Sequence, residues 1–246
     1  MPVKARFARS GNAATYAALW QRFCRLRWTQ DSLAEERRGW RRWLLSPLVA
    51  FIIPIHDEAV LTQLQSWQSA LSPWLAYAPQ PADRLHITLH MVGRLSPLPW
   101  LPLPHLWRRR DLDRLVAAVE SLVQGMNAFA VSIGPLNAFP NALFAEVQDE
   151  TGCLRALRTG LRRALPRRAR PPLRWPFVPH VTLGYWGRQP AGPLIAALRP
   201  FRTAPSVPLR VESVRLTIYA MNDGPSRVDL LRTAREEIIA EFALKP

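Results

Sequence analysis

Two histidines occur in one repeated phrase. His86-Ile87-Thr88-Leu89 is followed by Gly93, and His180-Val181-Thr182-Leu183 is followed by Gly187. Both copies fit His-apolar-Thr-Leu-x-x-x-Gly. Imidazole gains and loses a proton near neutral pH, so two of them can act as base and acid in one turnover. In an extended strand, residues i and i+2 share a face. His86 and Thr88 therefore point one way, and Ile87 and Leu89 the other. The second copy repeats the arrangement with His180 and Thr182. The apolar side suits packing on helices. The polar side presents an imidazole and a hydroxyl to a groove, where Thr88 and Thr182 can donate to a phosphate oxygen. A lone strand histidine is usually a half-buried structural residue. Two in one eight-residue pattern, in a chain with five histidines, point to a shared site.

Other residues near the pair are candidate substrate contacts. His90 lies one strand step beyond Thr88 on the expected His86 face, and Gly184 is its counterpart in the second copy. Tyr185, Trp186 and Arg188 follow the second copy and offer rings and a guanidinium to a base and its phosphate. His56 and His105 fall in a strand-to-helix turn and a proline loop, and are expected on the surface. Apart from His90, which an extended strand carries well away from His86, neither motif histidine has a His, Cys, Asp or Glu at metal-ligand spacing, and Cys24 and Cys153 lack it too. No metal or other cofactor is expected.

The elements that must position the pair follow from periodicity. Residues 48–55 read as a buried strand, 57–72 as a helix, and 85–92 as the first motif strand. The prolines of 97–104 make a surface loop or edge segment. Residues 111–125 read as a helix, 129–133 and 142–147 as strands, and 153–165 as a helix. The second motif strand spans 178–186, a short helix 194–198, and a further strand 211–219 with a turn at Asn222-Asp223-Gly224. Residues from 228 read as a strand, and 233–242 as a helix or another strand. This order predicts an α+β fold. We expect a bilobal body over 47–246, with two antiparallel-rich sheets facing a central cleft, helices outside, and a pseudo-duplication around the motif strands. Residues 1–46 form a basic, helical extension, read as an amphipathic helix packed on the body, with a basic strap for RNA as the alternative. No glycine loop that cradles a triphosphate is present.

Composition narrows the partner. The 246-residue chain carries a formal charge of +15, and its only lysines are Lys4 and Lys245. Arginine grips phosphate bidentately and stacks on bases, which suits RNA or a nucleotide. A genome rich in G and C would also favour arginine. The apolar run at 44–55 is short and contains Pro47 and Pro54, so no membrane partner is expected. Two cysteines do not make a disulfide framework, and a reducing, cytoplasmic setting is expected. The first thirty residues contain no acid and are arginine-rich, which keeps an organellar transit peptide as the alternative.

The residues Leu85-His86-Ile87-Thr88-Leu89 with Gly93, and Phe177-Val178-Pro179-His180-Val181-Thr182-Leu183, resemble the 2H phosphoesterase superfamily. They look most like its 2'-5' RNA ligase / RNA 2',3'-cyclic phosphodiesterase branch. Asn141-Ala142-Leu143-Phe144 and the leucine-rich helix after it fit as well, and the likeness covers about residues 48–232. Two positions depart from it. The branch often has arginine where this chain has His90, and a basic residue where it has Tyr185-Trp186-Gly187-Arg188. The resemblance implies a metal-free phosphodiesterase that opens 2',3'-cyclic phosphate ends of RNA or nucleotides to 2'-phosphates. It suggests His180 as base and His86 as acid, and a monomer. A ligase joining RNA halves, or an RNA-binding module without turnover, are the alternatives.

Overall fold

The structure is a computed structural model that describes residues 11–31, 47–96, 106–166, 177–220 and 235–246. Five helices are described: α1 (Gly11–Cys24), α2 (Glu58–Leu71), α3 (Arg109–Gln124), α4 (Cys153–Ala164) and α5 (Ala191–Leu198). The nine strands are β1 (Leu48–Pro54), β2 (His86–Leu95), β3 (Leu106–Trp107), β4 (Phe129–Phe139), β5 (Ala142–Gln148), β6 (His180–Tyr185), β7 (Val207–Val211), β8 (Ser213–Ala220) and β9 (Arg235–Ala243). The helix after β1 starts where Asp57 accepts the Val60 N–H at 3.0 Å, which satisfies one free amide of its first turn. It buries Val60, Leu64, Trp67 and Leu71, one stripe at helical spacing. In α4 the buried stripe is Leu154, Leu157 and Leu161. Among the described residues no helix is long and apolar enough to cross a membrane.

The fold is α+β, but the expected two sheets are one. The strand order is β7-β4-β5-β6-β2-β1-β8-β9, with β3 paired to the end of β2. Apart from that short parallel pair, the ladders are antiparallel. The motif strands β2 and β6 are central neighbours, joined through a single pair, Ile87↔Val181. They lie side by side, where facing sheets were expected. Nor are the two halves of the sheet consecutive halves of the chain. One is β4 to β7, and the other joins β1 and β2 to β8 and β9. The middle of β1, Val49 to Ile53, is buried at every position, so it requires a partner on each edge. β8 supplies the second, with Phe51 opposite Leu216. β9 is a strand because its backbone completes the β8 ladder. The turn at 222–224, the loop at 97–104 and the second half of the extension lie outside the described residues.

Ile87, Leu89, Val181 and Leu183 enter one core with Leu64 and Leu71 of α2, Leu115 and Val119 of α3, and Leu157 and Leu161 of α4. Both motif strands then slip phase at the same place. Ile52 pairs with Thr88 and Phe51 with His90, so Leu89 is an extra residue. In β6, Phe144 pairs with Thr182 and Leu143 with Gly184, so Leu183 is extra. Each bulge turns the following residue inward. At Gly184 that space is filled by Leu75, whose Cδ1 lies 2.6 Å from where a Cβ would be. The motif glycine Gly93 has φ +144°, and a Cβ there would meet the Trp107 ring at 2.9 Å. Gly93→Ala should therefore cost about 1–3 kcal/mol, from strain and overpacking together, read as a lower urea midpoint.

Candidate active site

Strand pairing assembles the site. The Ile87↔Val181 contact sets His86 beside Thr182 and Thr88 beside His180. The histidines are then diagonal neighbours, with Cα atoms about 7–8 Å apart by sheet geometry. All four polar side chains are half-buried on the face opposite the core residues.

Each imidazole is held the same way. His86 Nδ1 lies 2.8 Å from the Arg84 carbonyl, and His180 Nδ1 lies 2.7 Å from the Val178 carbonyl. A carbonyl only accepts, so Nδ1 carries the hydrogen and donates, and the neutral ring keeps its lone pair on Nε2. Burial pushes both histidines below their ordinary pKa, against the upward pull of these bonds. The like charge of His180 lowers His86 further.

Aromatic rings enclose the pair. Tyr219 of β8 stacks on His86, with centroids 5.5 Å apart and planes 26° apart. His180 sits edge-on to Phe139 at 5.0 Å and to Phe144 at 5.4 Å. Burial raises the Tyr219 pKa, while the Arg84 and Arg215 guanidiniums pull the other way. Glu236 shares this neighbourhood, its pKa raised by burial and lowered by Arg215 and Arg84. Apart from Arg84, none of these residues stands near a motif histidine in sequence. The one available signal was alternation in β8, which sets Arg215, Thr217 and Tyr219 on one face.

Thr88, Thr182 and the half-buried Tyr185 lie on the histidine face, the last restored to it by the bulge. His90 does not line the groove. The bulge turns it inward beside Phe51, and it is 3% exposed. His90→Ala should lower stability and leave KM unchanged, checked by a urea melt beside steady-state kinetics. Trp186 is fully buried and its indole N–H donates to the Phe139 carbonyl at 3.1 Å, so it braces Phe139 and cannot stack on a base. Arg188 is exposed past the end of β6, its guanidinium 5.9 Å from the Trp28 ring centroid.

Behind His180 is a buried polar cluster. Glu146 pairs with His180 across the ladder. Its carboxylate accepts from Asn137 Nδ2 at 2.7 Å and from Arg202 Nη1 at 2.5 Å. Arg202 also donates to the Leu136 carbonyl and lies over the Trp20 ring of α1.

Among the described residues, a curled antiparallel sheet with two central histidine strands and five flanking helices makes an α+β fold. Residues 56–223, which contain both motifs, match the model of the 2'-5' RNA ligase superfamily, and the chain belongs to that family. The crystal structure of E. coli LigT complexed with 3'-AMP is similar, with TM-score 0.58 and 17% identity over 82% of this chain and 99% of that one. TT0787 of Thermus thermophilus is similar with TM-score 0.57 and 21% identity, over 80% and 98%. No curated protein matches the chain by sequence.

Proposed function

We propose that this member of the family is a metal-independent phosphodiesterase that opens 2',3'-cyclic phosphate ends of RNA or nucleotides to 2'-phosphates. The observation that carries this reading is the matched pair of imidazoles. Among the described residues, both make their hydrogen bonds through Nδ1, which leaves two Nε2 atoms for acid and base work on one phosphate. His180, unprotonated, takes a proton from water as the oxygen attacks phosphorus. The bond from phosphorus to O3' breaks, and His86, protonated, gives its proton to that oxygen. Thr88 and Thr182 donate to the non-bridging oxygens, where charge builds in the transition state. Tyr219, Phe139 and Tyr185 offer flat surfaces to a base. The adenine nucleotide in the LigT complex supports a nucleotide end as the ligand class. The matching bulges after each motif support reading β2 and β6 as copies of one unit.

The test is RNA ending in 2',3'-cyclic phosphate, incubated in EDTA, with the product phosphate assigned by position. A 2'-phosphate is expected. Loss of activity in EDTA, restored by a divalent ion, would refute the metal-free mechanism. A 2'-5' linkage formed only when a 5'-hydroxyl RNA is added would identify the ligase instead.

A further inference from the structure

Helix α1 lies outside the residues that match the family, yet it reaches the histidine strand. Tyr16 is 2% exposed and packs against Phe144 at 6.5 Å between centroids. Phe144 in turn touches the His180 ring. The Tyr16 backbone carbonyl accepts from Asn137 Nδ2 at 3.0 Å. Its hydroxyl sits at the place where the β5–β6 ladder stops. That ladder ends at Glu146↔His180, and the next pair would be Val147 with Pro179. Proline has no N–H to give, so the rung cannot close by itself. The Tyr16 oxygen accepts the Val147 N–H at 3.2 Å. Its proton lies between the Pro179 carbonyl at 2.5 Å and the Val147 carbonyl at 2.8 Å.

We infer that Tyr16 is a positioning residue for His180: its hydroxyl replaces the missing rung at Pro179 and holds the 178–180 segment whose carbonyl orients the imidazole. The Val178 carbonyl that fixes His180 Nδ1 is one peptide away from the carbonyl held by Tyr16. His86 has no such dependence, since its anchor is the Arg84 carbonyl in a turn of 82–84. Burial raises the Tyr16 pKa, so the hydroxyl stays a neutral donor. The extension is thereby part of the site's construction. The inference rests on the role of His180 proposed above, and the test separates the two.

The variant is Tyr16→Phe in the full chain, which keeps the ring and removes the hydroxyl. The control is Thr29→Val. Thr29 also ties the extension to the body, through the Gly187 carbonyl at 2.5 Å and the Gln189 N–H at 3.0 Å, but past the other end of β6 from His180. Imidazole Nδ1–H resonances are recorded without substrate and assigned with His86→Gln and His180→Gln. In Tyr16→Phe the His180 resonance should broaden or vanish while that of His86 persists. The kcat on the cyclic phosphate should fall on the order of tenfold at unchanged KM, as a small misplacement of a catalytic group does. Thr29→Val should lower the melting temperature and leave both resonances in place. An unchanged His180 signal or kcat in Tyr16→Phe, or the same loss in Thr29→Val, would overturn the inference. A lost His180 signal in Tyr16→Phe, beside a wild-type protein that does not turn over cyclic phosphate, would support the tie and sink the proposed function.

Discussion

Alanine at His86 or His180 should cut turnover of a 2',3'-cyclic phosphate by at least about a hundredfold, the usual worth of a positioned acid or base. The double variant should be little worse than either single one, because the two groups act in one proton relay. Both imidazoles lie below the ordinary value of 6.5, through burial and, for His86, the charge of His180. The pH profile of kcat/KM reports the free protein, so its bell should centre on the acid side of 6.5. A bound phosphate anion favours the imidazolium, and the kcat profile should sit at higher pH. The sign for stability follows from the same shifts. A histidine whose folded pKa is depressed contributes stability above the unfolded value, and that contribution is lost as pH falls through the folded one. Urea midpoints should therefore drop in mild acid, and less so in His86→Gln. An alkaline optimum for kcat/KM, or activity within a few fold of wild type in either alanine variant, would dismiss the pair as the catalytic centre.

The histidine and threonine faces were legible because strand geometry has a period of two, and the helices because their leucines recur at helical spacing. Pairing was not legible. Tyr219 meets His86 only because β8 lies against β1, a contact that spans most of the chain. His90 and Trp186 show the cost of one extra residue. A bulge at Leu89 reverses the faces after it, and nothing in the residue types marks the spot. Gly184 was the nearest signal, since a glycine in a strand often marks a bulge or a close approach. In the sequence, Tyr16 is only one of the apolar residues, with Leu19, Trp20 and Phe23, that recur at helical spacing in the extension. Its hydroxyl matters because Pro179 leaves a rung open, and that combination exists only in three dimensions.

Glu146 offers the second large effect and decides between two readings of the carboxylate beside His180. A carboxylate next to a base invites a catalytic role. Here its partners are Asn137 and Arg202, with Arg202 anchored further on the Leu136 carbonyl. The group is 4% exposed, and burial raises its pKa against the pull of Arg202 and Asn137. A raised carboxyl pKa means that the folded chain holds the proton more tightly than the unfolded chain. Its contribution to stability is then greatest below about pH 4.5 and declines as pH rises. At neutral pH the ionised form is costly to bury, and its worth lies in the bonds it accepts. Glu146→Ala removes those bonds and strands a guanidinium with only 17% side-chain exposure, which should cost about 3–5 kcal/mol. Glu146→Gln keeps an oxygen for Asn137 and Arg202, and should cost much less while turnover stays near wild type. A Glu146→Gln protein that folds normally but loses a hundredfold in kcat would instead make the carboxylate a partner in the chemistry, and the proton path would have to be redrawn through it.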